Sequence, residues 1–180
     1  MRLRALFIPL VALTVFVVDQ VTKYIVAANF ALNEPWYPFS FLKPIFAIMY
    51  IENSGAAFGI LQNQNLFFTI VAIVVIIVIL VYLRSTPQID LIIALGLGLE
   101  LGATCGNLAD RIRFGYVVDF LYVKYWAVSN IADVCVTTGV VLLAYYLIFR
   151  APAATPIAAT PQAPVAPPPP VDDTPRPEIP

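Results

Sequence analysis

Asp119 and Asp133 are the two residues of this sequence best placed to do chemistry together. Asp119 sits in YVVDFLYV, whose apolar flanks can hold a carboxyl at a membrane–water boundary, and Asp133 lies three residues into the apolar run Ile131 to Phe149. Neither has an obvious cation among the basic residues left over. Two unpaired carboxylates close together can share one proton, so that one serves as base and the other as acid. Asn53, Asn107 and Asn130 could supply amide donors beside them, and Asn130 can also cap the last helix while sharing its face with Asp133 at i and i+3. The stretch GNLADRIRFGYVVDF adds Asp110, Arg111 and Arg113 in a chain that is only 12% charged. Beside a helix end, Asp110 and Arg111 suit a structural salt bridge.

Absences narrow the chemistry. With no histidine, Ser-His and Cys-His catalysis and the HExxH zinc peptidases are excluded. Cys105 and Cys135 are too few for a disulfide framework and lack CxxC spacing; a single bridge between them stays open. Ten Lys+Arg against eleven Asp+Glu leave no basic stripe for nucleic acid. What remains is carboxylates, hydroxyls, lysine or a hard metal.

The elements that must position these groups are membrane spans. The chain is 61% hydrophobic, well above a soluble domain. Residues 66–83 carry no charge, residues 91–108 carry only Glu100, and residues 131–149 only Asp133. The first run, Ala5 to Val18, is too short to cross alone at about 1.5 Å per residue. It is either a signal-peptide core or, with DQVTKYIVAA, a span over about 5–28 with Asp19 and Lys23 paired at i and i+4 near its far end. The span is the reading adopted. Both termini then lie on one side, and the basic N-terminus and the Arg84 loop favour the cytoplasm, although counting charges does not decide it. Residues 29–65 are rich in aromatics, with a β-prone piece PIFAIMYIEN and a turn NSGAAFG. They form either an interfacial aromatic belt or a small sheet lying on the membrane as a substrate platform. From Ala151 the sequence becomes a Pro/Ala-rich tail, holding eleven of sixteen prolines, expected to be disordered.

Ionisable residues in spans are functional hypotheses by default. Three classes compete for Asp119 and Asp133: a hydrolase activating water, a metal-dependent headgroup transferase that would add Asp110, and a proton-coupled carrier. The absence of inverted repeats disfavours the carrier. The phosphatidyl-transfer pattern wants an aspartate at position 123, which is Val123.

Four pieces in order, DQVTK at 19–23, NSGAAFGI at 53–60, GNLADRIRFGYVVDF at 106–120 and SNIADV at 129–134, resemble the lipoprotein signal peptidase (signal peptidase II) family. The resemblance covers residues 1 to about 150. It implies an all-α integral membrane protein of four transmembrane helices, with a small periplasmic β-sheet between helices 1 and 2 and both termini cytoplasmic. The implied activity is an aspartic endopeptidase of the bacterial inner membrane, without metal or other cofactor. It would act as a monomer among membrane lipids on diacylglyceryl-modified prolipoproteins, cutting just before the lipidated cysteine. Asp119 and Asp133 fall on the family's catalytic positions. Asp19, Lys23, Asn53, Gly55, Ala57, Gly106, Asn107, Asp110, Arg111, Asn130 and Ala132 fall on motif positions that shape or line the site. Three residues depart from the pattern: Ala103 replaces a common glycine, Ser129 replaces an aromatic residue, and Glu100 is an unexpected acid sharing a helix stripe with Asn107.

Overall fold

Four long helices form because four apolar stretches can satisfy their own backbone within hydrocarbon. A computed structural model describes residues 2–43, 45–55, 63–86 and 88–150, without the side chains of 2–5. Ala57 and the Pro/Ala-rich tail lie outside the described residues. The helices are α1 (Arg2–Asn29), α2 (Asn65–Ser85), α3 (Leu91–Phe114) and α4 (Ile131–Phe149), each long and apolar enough to cross a membrane. The first runs unbroken through DQVTK, as the span reading requires.

The ends of the helices are set by local chemistry. Asp90 caps α3 by accepting from the Ile92 N–H at 2.8 Å. Gly115 stops the same helix at φ 82°, a left-handed position that glycine adopts without side-chain strain, and its N–H reaches the Arg111 carbonyl at 3.1 Å. Asn130 and Asp133 form a reciprocal capping box at the start of α4, as the sequence suggested for Asn130.

The bundle packs around α3, which touches the other three helices. Small residues make the approach possible. A Cβ on Gly102 would overlap the Ala12 carbonyl of α1, and one on Gly106 would overlap the Asp19 carboxylate. Ala103 is fully buried with Val15 and Ala132, so the extra methyl in place of glycine fills space between α1, α3 and α4.

Two expectations need correction. Helix α3 continues six residues beyond 108, so Asp110, Arg111 and Arg113 lie in its last turns and not in a connecting turn. The sheet is not confined to the segment between helices 1 and 2, and the chain is not purely helical outside it. The three-stranded antiparallel sheet runs β1 (Pro35–Trp36), β2 (Phe46–Asn53), β3 (Val117–Val123), and β3 comes from the connection between α3 and α4. The physical reason is that β2, with one edge on β1, leaves a second edge that the apolar run VVDFLYV pairs. Ile51 faces Asp119 and Asn53 faces Val117 in the register, with an irregularity between Ile48 and Ile51. Alternation along the strands then places Asn53 and Asp119 on one face of the sheet.

Candidate active site

The sheet closes over the end of the bundle where α1 and α3 finish and α4 begins. There the structure brings together Asp119 from β3, Asp133 from α4, Asn53 from β2, Asn107 from α3 and Asn130 from the α4 cap. Each carboxylate oxygen of the two aspartates accepts a hydrogen bond. Asn130 Nδ2 donates to Asp119 Oδ1 at 2.7 Å, and Asn53 Nδ2 to Asp119 Oδ2 at 2.7 Å. Asn107 Nδ2 donates to Asp133 Oδ1 at 3.0 Å, and the Asn130 backbone N–H to Asp133 Oδ2 at 3.2 Å.

The orientations of the amides follow from a donor that cannot accept. The Lys23 ammonium uses its three N–H bonds on Asp19 at 2.9 Å, Asp110 at 2.8 Å and Asn107 Oδ1 at 2.7 Å. With its oxygen committed to Lys23, Asn107 must turn its NH₂ toward Asp133. Asn130 accepts from the Asp133 N–H at 3.0 Å through Oδ1, so its NH₂ turns toward Asp119 and also reaches Asn107 Oδ1 at 3.2 Å. Asn53 accepts from the Gly55 N–H at 3.0 Å, which aims its NH₂ at Asp119 and gives Gly55 its place in the site. Lys23 thus holds Asp133 through Asn107, and Asp119 through Asn107 and then Asn130.

The Asp19–Lys23 pair anticipated from their spacing is present and buried, at 0% and 3% side-chain exposure. Asp19 also accepts from the Ala132 N–H at 3.1 Å, tying α1 to α4. The pair expected between Asp110 and Arg111 is not formed. Asp110 turns instead to Lys23 and accepts from the Val118 N–H at 3.2 Å, which locks β3 to the bundle. Arg111 contacts the Asn107 carbonyl at 3.4 Å and lies over the Phe68 ring of α2 at 5.3 Å. Asp110 is taken up by Lys23, and among the described residues Asp110, Asp119 and Asp133 do not gather into one metal-binding group.

Gln20 escaped the sequence reading. Its Nε2 donates to Asp110 at 2.9 Å and reaches the Gly106 carbonyl at 3.2 Å, while its Oε1 accepts from Arg113 at 3.3 Å. Its place between Asp19 and Lys23 in DQVTK was the available signal.

Asp119 is 2% exposed, whereas Asp133 is half-buried. Burial pushes the Asp119 carboxyl up to about 7, reinforced by the charge of Asp133 and opposed by the amide donors of Asn53 and Asn130 and by Lys23. A carboxyl at that value can carry a proton near neutral pH. The arrangement sets a deeply buried carboxyl beside one closer to solvent.

Glu100 does not join this network. It packs against Gly139 of α4, is 9% exposed, and its Oε1 has no hydrogen-bond partner among the described residues. An orphaned polar group costs about 1–3 kcal/mol. Glu100→Met, similar in volume, is therefore expected to raise the melting temperature of the purified protein without lowering turnover. A lower melting temperature would show that the carboxyl has a stabilising role. Cys105 and Cys135 are both free.

The family model for signal peptidase (SPase) II matches residues 11–149. The lipoprotein signal peptidase of Moorella thermoacetica is 42% identical over 142 residues, 79% of this chain and 93% of the relative. That of Caldanaerobacter subterraneus subsp. tengcongensis is 43% identical over 144 residues, 79% and 96% respectively. A bacterial membrane enzyme solved by the in meso method at 1.9 Å resolution superposes with a TM-score of 0.70 at 31% identity, over 79% of this chain and 92% of that one. A second, at 2.3 Å resolution, gives 0.71 at 31% identity, over 77% and 85%. With four membrane-length helices and this match over most of its length, the chain is a multi-pass bacterial membrane protein and a peptidase of the signal peptidase II family.

Proposed function

We propose that the chain is an aspartic endopeptidase that removes signal peptides from diacylglyceryl-modified prolipoproteins, cutting just before the lipidated cysteine. The observation that carries the aspartic mechanism is the paired carboxylates themselves. Asp119 is buried with a carboxyl near 7, Asp133 is more open, and the four oxygens are held by oriented amides.

Asp133, reachable by water, takes a proton from the attacking water molecule. Asp119 gives its proton to the scissile carbonyl oxygen as the tetrahedral intermediate forms. As the intermediate collapses, the proton gained by Asp133 passes to the leaving amine while Asp119 takes a proton back from a hydroxyl of the intermediate, so the C–N bond breaks, the carbonyl re-forms and the pair is again singly protonated. Asn53, Asn107 and Asn130 keep the two carboxyls from rotating, so the donor and the acceptor are aimed before substrate arrives. The sheet-side helix ends mark the depth of the pair. A peptide bond presented at the membrane surface meets the pair at this depth, with the sheet side facing outward from the inner membrane and both termini cytoplasmic.

The test is mass spectrometry of a lipid-modified prolipoprotein incubated with purified enzyme, with and without EDTA. The expected result is one cut immediately before the modified cysteine, at the same rate with chelator. Cleavage elsewhere would overturn the substrate assignment, and loss of activity restored by divalent metal would overturn the metal-free chemistry.

A further inference from the structure

The sheet has a second end, away from the aspartates, that the proposed chemistry does not use. There the short 3₁₀ turn Ser40–Leu42 and the loop after β3 meet, with the Lys124 N–H donating to the Ile45 carbonyl at 2.8 Å. The meeting point is covered with large apolar side chains in the open. Phe41 is 77% exposed, Tyr125 89% and Trp126 66%, with Phe39 and Ile45 each at 53%. None belongs to a span. Single exposed apolar residues are ordinary on a protein surface, but several large ones gathered on two adjoining loops, with the Phe39 and Phe41 rings 5.7 Å apart, mark an interaction surface.

Further features identify the surface that covers it. Lys43 and Lys124 flank the cluster, each with its ammonium over a tyrosine ring, at 5.4 Å from Tyr37 and 4.8 Å from Tyr125. Lysine beside tryptophan and tyrosine suits the headgroup layer of a bilayer, where rings sit among glycerol and upper acyl groups and ammonium groups meet phosphates. Moreover, Tyr125 has φ 67°, a left-handed conformation uncommon for a bulky residue and one that costs energy. The cluster also belongs to a protein already surrounded by lipid, so a phospholipid leaflet is the partner nearest to hand.

We infer that this end of the sheet is a second membrane contact: its aromatic cluster lies in the headgroup region of the leaflet on the sheet's side, with Lys43 and Lys124 on anionic phosphates. The sheet then rests along the bilayer surface instead of standing away from it. Because β3 runs from Asp119 straight into the contact loop, seating the tip fixes the height of Asp119 above the hydrocarbon. This placement stands whether or not the peptidase reading holds.

The chain has two tryptophans, so Trp36→Phe leaves Trp126 as the sole reporter. Full-length protein would be reconstituted at low protein-to-lipid ratio in vesicles of phosphatidylcholine with or without phosphatidylglycerol. Lipids brominated high or low on the acyl chain would serve as depth quenchers and acrylamide as the aqueous one. Shallow bromines should quench Trp126 more than deep ones, acrylamide should lose most of its access, and phosphatidylglycerol should strengthen both effects. Lys43→Gln with Lys124→Gln should remove the dependence on anionic lipid. If Trp36→Phe fails to fold, the same signal is obtained as wild type minus Trp126→Phe. Full acrylamide access with no bromolipid quenching would overturn the proposal. Protection that vanishes on diluting protein in lipid would assign the surface to a second copy, and protection appearing only with added signal peptide would assign it to substrate.

Discussion

Asp119→Asn and Asp133→Asn are each expected to abolish peptide cleavage while the protein stays folded. Asparagine keeps the shape of the side chain but cannot exchange the shared proton. The loss should be on the order of 10⁴-fold or more in kcat, as for other catalytic units whose members fail together, and the double variant should be little worse than either single. Folding should survive because only one contact is turned against itself. At position 119 an amide keeps one acceptor for Asn130 or Asn53 and sets its NH₂ against the other donor, a cost of about 1–3 kcal/mol. In the wild-type enzyme the rate should be bell-shaped in pH, its alkaline limb near the Asp119 value of about 7 and both limbs belonging to the pair. Stability carries the same signature. Because the folded value is raised above the ordinary 3.8, the Asp119 contribution is fully present below about 4 and is lost as pH rises through about 7. Thermal melts across that window should slope downward for wild type and flatten for Asp119→Asn. A folded Asp119→Asn enzyme with near-normal turnover would remove the dyad and return attention to Asp110 and Asp19.

Lys23→Met should be the most destabilising single change at the site. It strands Asp19 and Asp110, 0% and 1% exposed, without their shared cation. Breaking a buried ion pair in this way costs about 3–5 kcal/mol. Asn107 would simultaneously lose the donor that fixes its amide, so any folded fraction should also turn over slowly. Combining Asp19→Asn with Lys23→Gln should be milder than the sum of the single changes, because neutralising both partners leaves less charge unpaired. Strict additivity in a thermal-stability cycle would show that Asp19 and Lys23 do not act as a pair.

Much of this was legible in the residues. Charge-free apolar runs mark α2, and Asp119, Asp133 and the cap at Asn130 can be named from their flanks and spacing. The pairing of Asp19 with Lys23 is also visible because it is local, at i and i+4. What was not legible is long-range. Asp110 lies next to Arg111 in sequence yet bonds Lys23, 87 positions away by residue number, because α1 and α3 cross where Gly106 lets the Asp19 carboxylate approach. Strand β3 was hidden for a different reason. A short continuous apolar run has no period to separate strand from interfacial loop, and only its partner β2 decides. Gln20 was missed because a neutral amide is one polar side chain among many until its four contacts, to Asp19, Gly106, Asp110 and Arg113, are seen.

The site draws its parts from nearly the whole length of the described chain: Lys23 from α1, Asn53 from β2, Asn107 from α3, Asp119 from β3, and Asn130 and Asp133 from the start of α4. Synthesis delivers these in order, and Asp133 is the last. On the proposed mechanism, a nascent chain with three helices inserted carries Asp119 without Asp133 and should be inert toward peptides. Competence should then arrive in one step, when the fourth helix enters and its cap closes on β3. The same dependence means that no fragment lacking either end helix should retain partial activity, and that coexpressed halves should regain it only by rebuilding the contacts between α1 and α4.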